Sequence, residues 1–322
     1  MRHKETMSIL PLHIKRAGPR GFCAGVERAI QMVEKALEKY GSPVYVRHQI
    51  VHNKYVVESL EAKGAIFVKE LSDIPQGTQQ PVLFSAHGVS KAVMESAKEL
   101  NLFSIDATCP LVTKVHREVD LHDRLKRQVI MIGHKGHPEV LGTTGQLPAG
   151  KVLLVESVAD VQALVVDDPD NLSFVTQTTL SVDETAEIIG ALLTKFPNIT
   201  GPKKEDICYA TTNRQAAVKL IAPSVDIFLV VGAKNSSNSN RLREAAKNYG
   251  AKEAYLLDDA SQIDWSWFDG AKTMGLSSGA SAPEVLVEGV IDACRTRFDV
   301  TVEDIIAVEE DVIFNLPRFL VA

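Results

Sequence analysis

From residue 9 onward, short apolar runs alternate with longer stretches whose apolar residues recur every three to four positions. The short runs read as strands and the longer periodic stretches as helices. "ILPLHIKRAG" (9–18), "PVYVRHQIV" (43–51), "AIFVKE" and "PVLFSAHG" are predicted strands, with helices over 24–41, "NKYVVESLEAKG" and "SKAVMESAKEL". The order then restarts. "LFSIDAT" leads to a helix over 110–127, then "QVIMIGH", a short helix near 138–146, "KVLLVES", "LSFVTQT" and the helix "VDETAEIIGALLTKF". A third round runs through "DICYA", a helix after Thr212, "VDIFLVVGA", "NSNRLREAAKNYG", "EAYLLDD", "TMGLSSGA" and "APEVLVEGVIDACRTRF".

Strands alternating with helices imply α/β units on small, mostly parallel sheets. Three rounds of roughly 90 to 100 residues imply an internal threefold repeat. The expected modules are 1–108, 109–205 and 206–298, followed by a tail over 299–322.

The repeat gives the polar residues a meaning. Each predicted first strand ends at a cysteine: Cys23, Cys109, Cys208. Each second strand leads, 29, 28 and 28 residues after its cysteine, to His52–Asn53, His137–Pro138–Glu139 and Ser236–Ser237–Asn238. The fourth strands end near His87, Thr178 and Ser281, which lie 64, 69 and 73 residues after theirs. Ligands of α/β sheets bind beyond the carboxyl ends of the strands. Three modules aimed at one axis would gather three thiols inside a ring of imidazole, hydroxyl, amide and carboxyl groups. A cysteine just before a helix also feels the positive end of the helix dipole, which favours the thiolate.

Composition narrows the chemistry. The chain has 322 residues, 45% hydrophobic and 24% charged, which fits a globular protein of more than one domain. No apolar run reaches the ~18 residues of a membrane helix, and the N-terminus shows no signal-peptide core, so a cytoplasmic setting is expected. A net charge of −6 argues against a general nucleic-acid partner. The four cysteines form no CxxC pair and read as free thiols or ligands. "GPRGFCAG" lacks the GxGxxG spacing and no Walker A motif occurs, so nucleotide binding is not expected.

Three converging thiolates suit zinc or an iron–sulfur cluster, and three ligands leave one position open for substrate. Cys294 stands apart, at helical spacing with Val287, Val290 and Phe298, and reads as core. "NSSNSNRL" and "SSGASAPE" place hydroxyls, amides and free N–H groups at helix starts, a phosphate-holding arrangement that ordinary N-capping would also explain. With His52, His87 and His137 opposite, anion binding becomes the better reading. Glu139 is either a helix-start carboxylate favoured by the dipole or, in a dry pocket, a proton donor of raised pKa. His3, His13, His48 and His122 read as surface or packing residues; His116 and His134 are left unassigned.

"PRGFCAGVERAI", "YVRHQIVHN", "FSAHGVS", "DATCPLVTKVH", "GHPEV", "TQTTLSVDET", "DICYATTNRQ", "KNSSNSNRL" and "GASAPE" together resemble the LytB/IspH family of 4-hydroxy-3-methylbut-2-enyl diphosphate reductases, in order from about residue 14 to residue 285. The resemblance implies a pseudo-threefold cloverleaf of three α/β modules around one 4Fe–4S cluster held by Cys23, Cys109 and Cys208. It implies a diphosphate held by His52, His87, His137, Ser236, Ser237, Asn238 and Ser281. It also implies catalytic roles for Glu139, Thr178 and His137, with Asn238 in the proton relay. The implied reaction is reductive loss of the substrate hydroxyl, giving isopentenyl and dimethylallyl diphosphate, the last step of the non-mevalonate route. A ferredoxin or flavodoxin is the implied electron donor. The tail "VEEDVIFNLPRFLV" is implied to pack on the first module, and the first ten or so residues to lie outside the catalytic part, with Met7 a possible start.

Two other classes compete: a zinc-dependent hydrolase of a phosphorylated small molecule with Glu139 as base, and a non-catalytic anion-binding module with packing cysteines.

Overall fold

The computed structural model describes residues 10–321; the expectations for His3 and the first nine residues lie outside them. The elements in chain order are β1 (Leu10–Gly18), α1 (Ala24–Tyr40), β2 (Val44–Arg47), α2 (Lys54–Ala62), β3 (Ala65–Val68), β4 (Val82–Phe84), α3 (Lys91–Glu99) and β5 (Ser104–Asp106). Then come α4 (Pro110–Arg124), β6 (Gln128–Ile132), α5 (Pro138–Thr144), β7 (Val152–Val155), α6 (Val158–Ala163), β8 (Leu172–Thr176) and α7 (Val182–Lys195). The rest are α8 (Tyr209–Ile221), β9 (Ile227–Val231), α9 (Ser237–Asn248), β10 (Glu253–Leu257), β11 (Thr273–Ser278), α10 (Glu284–Arg295), β12 (Phe298–Ile306) and α11 (Arg318–Val321). Among the described residues no helix is long and apolar enough to cross a membrane.

Three parallel sheets share one plan. Their orders are β3-β2-β4-β5, β7-β6-β8 and β10-β9-β11-β1-β12. In each, the second predicted strand of the round (β2, β6 or β9) is central, the third flanks one side and the fourth the other. The expected α/β class and threefold repeat are present. The central strand β9, Ile227–Val231, is apolar and buried throughout, as a parallel strand covered on both faces requires.

Sheet membership departs from the boundaries expected from chain order. The chain forms two compact units, one of the described residues up to Phe22 with Asn213–Asp311, the other of Cys23–Thr212 with the residues from Val312 on. β1 pairs with β11 and β12, so it joins the sheet of the third round, not of the first. β5, in contrast, edges the sheet of β2 to β4, within the expected 1–108 module. The expected strand at "DICYA" (206–210) does not form; the nearest pairing to the second sheet is an isolated bridge of Ser173 with Thr200. Hydrophobic pattern fixes that a run is extended, but its partner is chosen by non-local packing.

The first unit buries one layer around Leu12, Ile14, Leu229 and Leu276 and another around Phe228, Val230 and Leu242. The expected tail divides: β12 runs along β1, with Val300 and Val302 half-buried and Asp299, Thr301 and Glu303 exposed, a charged edge that resists further pairing. In the other unit, α11 returns to α1, where the Lys39 ammonium donates to the Phe319 carbonyl at 2.5 Å. That unit's sheets pack through Tyr45, Val82 and Phe84, and through Ile130, Ile132, Phe174 and Leu192.

Candidate metal and anion site

The three candidate thiols stand at the starts of three helices in one unit. Cys23 and Cys109 occupy the positions before α1 and α4 without a side-chain cap bond, and the Cys208 carbonyl accepts from the N–H groups of Thr211 and Thr212. Each pair of thiol segments is laced together. The Ala24 N–H donates to the Tyr209 hydroxyl at 3.2 Å, and the Arg28 guanidinium to the Thr108 carbonyl at 3.2 Å. Lys114, on the helix begun by Cys109, reaches Asp206 at 2.8 Å.

Gly25 explains how the sulfurs approach. A Cβ there would sit 2.6 Å from the Cys109 Sγ and 3.9 Å from the Cys23 Sγ, so only glycine leaves the room. The dipole expectation for thiolates is overturned by desolvation. Burial, then the neighbouring thiols Cys23 and Cys208, push the Cys109 thiol up to about 12. Burial, then Cys23, push Cys208 up to about 11, and its sulfur lies 3.2 Å from the Thr211 hydroxyl. Buried thiols of this kind become thiolates only when a cation replaces their protons.

That donor set fits an iron–sulfur cluster. Among the described residues, no three His, Cys, Asp or Glu side chains close on one point as a single ion requires. Cys294 is buried in α10, within the apolar core, as expected.

Three imidazoles gather in the same unit. The His52 and His87 rings stack with centroids 4.2 Å apart, and His137 lies edge-on to both at 5.6 and 5.7 Å. Burial is the first cause that holds all three neutral; His48 adds to it for His52, which falls to about 4, His52 and His134 for His137, which falls to about 3, and His52, His137 and His48 for His87, which lies well below its usual range. The His137 Nδ1 accepts the Glu139 N–H at 3.2 Å, capping α5, so the neutral ring carries its proton on Nε2. Ser85 meets the His87 Nδ1 at 3.3 Å and Gln49 meets the His52 Nδ1 at 3.2 Å.

Glu139, in the first turn of α5, is buried. Its Oε1 accepts the Thr178 N–H at 2.6 Å and its Oε2 the Thr178 hydroxyl at 3.0 Å. Burial pushes the carboxyl up to about 7, against the pull of those two donors. Glu139 thus starts a helix and is also a buried carboxyl of raised pKa.

The remaining candidates lie in the other unit. Ser236 caps α9, accepting the Ser239 N–H at 3.3 Å, and Ser237 opens the helix. Asn238 is buried, and among the described residues neither its amide oxygen nor its nitrogen has a hydrogen-bond partner. Ser281 is buried just past β11.

Residues 14–295 match the profile of the family described as LytB protein. The chain belongs to the LytB family. A LytB relative from Rhodopseudomonas palustris, "4-hydroxy-3-methylbut-2-enyl diphosphate reductase 2", is 62% identical over 310 residues, covering 96% of this chain and 97% of its own. The reductase of Hyphomonas neptunium is 59% identical over 96% of this chain and 98% of its own. Among solved structures, the E-1-hydroxy-2-methyl-but-2-enyl-4-diphosphate reductase of Plasmodium falciparum superposes with a TM-score of 0.91 at 39% identity, covering 97% of each chain. None of these LytB relatives supports the hydrolase alternative.

Sequence reasoning overlooked Gly25, Thr211, Lys114 and Asp206. "CAG" and "CYAT" carry the first two as a small and a hydroxyl residue in the first turn after a thiol; Lys114 and Asp206 give no local signal. Of the unassigned histidines, His116 packs against Gly88, whose added Cβ would lie 2.7 Å from its ring, and burial holds it near 4. His134 stays close enough to His137 to lower its pKa further.

Proposed function

We infer that this chain reduces 4-hydroxy-3-methylbut-2-enyl diphosphate to isopentenyl and dimethylallyl diphosphate, the closing step of non-mevalonate isoprenoid supply. The observation that carries the reading is the set of three thiols at three helix starts of one unit, with the Cys23 and Cys109 sulfurs both within 4 Å of where a Cβ on Gly25 would stand. Cys23, Cys109 and Cys208 are the proposed ligands of one 4Fe–4S cluster. When bound, such a cluster supplies single electrons and an open Lewis-acidic iron for the substrate hydroxyl.

The protein's own groups do the rest. His52, His87 and His137 offer N–H donors to the diphosphate, with Ser236, Ser237, Asn238 and Ser281 proposed as further ligands from the family pattern. Neutral imidazoles become imidazolium beside a phosphate, so the pocket adjusts its charge to the ligand. Glu139 holds a proton near neutral pH and gives it to the departing hydroxyl, which leaves as water; Thr178 fixes the carboxyl's orientation. Two electrons and a second proton complete the balance, and delivery of that proton at either end of the allylic unit gives the two products. The electrons come from a one-electron protein donor of the ferredoxin or flavodoxin kind, in the cytoplasm.

Anaerobic incubation of the protein with the substrate and a reduced one-electron dye tests the reading. Oxidation of two dye equivalents per C5 diphosphate formed is expected. Release of inorganic phosphate without dye oxidation would overturn it in favour of hydrolysis.

A further inference from the structure

Cys208 differs from Cys109 in what holds its approach. The two cysteines are anchored alike at their own backbone: the Cys109 N–H donates to the Ala86 carbonyl and the Cys208 N–H to the Thr178 carbonyl, both at 3.0 Å. Each acceptor lies two residues past the end of its strand, β4 or β8. Behind Cys109, β5 supplies a ladder along the sheet edge. Behind Cys208 there is no strand.

Side chains stand in for it. Asp206 is buried; its Oδ2 accepts the N–H of Thr176, the last residue of β8, at 2.9 Å, and its Oδ1 accepts from the Lys114 ammonium at 2.8 Å. The same ammonium donates to the carbonyls of Lys204 at 2.6 Å and Glu205 at 3.3 Å, and lies 3.5 Å from Glu118. Lys114 stands five residues past Cys109 on α4. A single cation thus ties the helix begun by one thiol to the segment that delivers another. Thr178 extends the link, since its carbonyl holds Cys208 while its N–H and hydroxyl hold Glu139.

We propose that Lys114 and Asp206 form a clamp that replaces the missing strand and positions the Cys208 sulfur relative to Cys109 and to the Thr178–Glu139 pair. Both are positioning residues, and their role in catalysis rests on Cys208 being a cluster ligand. Lys114 and Asp206 themselves stand outside the apolar core of the second sheet, around Ile130, Ile132, Phe174 and Leu192, against which only the neighbouring Ile207 of this segment packs.

The test uses full-length protein and the variants Lys114→Met, Asp206→Asn and Lys114→Arg, purified without oxygen. With an iron chelator, Lys114→Met and Asp206→Asn are expected to lose the visible cluster absorbance about 10- to 100-fold faster than the parent, the usual scale for residues supporting a ligand. After the metal is stripped, alkylation followed peptide by peptide is expected to be about tenfold faster at Cys208 and unchanged at Cys109. Lys114→Arg is expected to recover part of both effects, because a guanidinium still reaches a carboxylate and carbonyls. Unchanged alkylation at Cys208, or an equal rise at both cysteines, would overturn the clamp, the latter marking general loosening. A parent protein that takes up no iron or sulfide would sink the functional reading instead, and the alkylation comparison would still decide the clamp.

Discussion

Thr178 holds both oxygens of Glu139, one through its N–H at 2.6 Å and the other through its hydroxyl at 3.0 Å. The carboxyl is thereby fixed in orientation while burial keeps its pKa near 7. Glu139→Gln preserves the shape and removes the transferable proton. Steady-state kinetics should show turnover lowered about 10²- to 10⁴-fold, the range for loss of a general acid, with diphosphate affinity changed by no more than a few fold. Equal loss of affinity and turnover would assign Glu139 to binding.

The same pair sets a pH dependence. As the proposed proton donor, Glu139 works protonated, so activity should fall as pH rises through about 7. Thr178→Val removes the hydroxyl donor, one of the two bonds that favour the carboxylate, so the falling limb should move to higher pH. Stability follows the same sign. The folded state holds this proton more tightly than the unfolded state, whose pKa is near 4.5, so the Glu139 contribution is full below 4.5 and lost as pH rises through 7. Glu139→Gln should therefore gain thermal stability relative to the parent as pH rises across that window.

The stacked imidazoles predict a proton signature for anion binding. His52, His87 and His137 are neutral in the free protein, and a dianionic phosphate beside them favours the charged ring. Titration calorimetry with inorganic pyrophosphate, repeated in buffers of different ionisation enthalpy, should show uptake of about one proton or more near neutral pH. Net proton release would contradict the assignment of these rings to the diphosphate.

Two glycines should respond oppositely to alanine. At Gly25 the new Cβ would lie 2.6 Å from the Cys109 sulfur, so Gly25→Ala should cost about 1–3 kcal/mol and abolish iron uptake. At Gly190, inside α7, nothing lies within 4 Å, and Gly190→Ala should stabilise by about 0.5–1 kcal/mol. Thermal melts with iron assays check both.

Much of this molecule is legible one residue at a time. Apolar runs and helical periodicity locate nearly every strand and helix, and the strand-end spacing agrees with the family resemblance in singling out His52, His87, His137, Glu139 and Thr178 before any coordinates. What stays hidden is relational. Nothing local in 10–18 says that this strand pairs with Thr273–Ser278 rather than with Val44–Arg47. The alternation in Phe298–Ile306 resembles a tail until β1 is there to pair with it. "DICYA" has strand-like residues, but Asp206 spends its oxygens on Thr176 and Lys114, and the chain turns into a helix instead. The thiols mislead in one respect, since the helix dipole favours thiolate and desolvation outweighs it.

The most direct test of the account is the iron, zinc and acid-labile sulfide content per chain, with the visible spectrum, of protein prepared without oxygen, beside a Cys109→Ser variant. Iron and sulfide in near-equal amounts, lost together in the variant, is the predicted result. Stoichiometric zinc without sulfide, or iron and sulfide retained in Cys109→Ser, would contradict a cluster held by Cys23, Cys109 and Cys208.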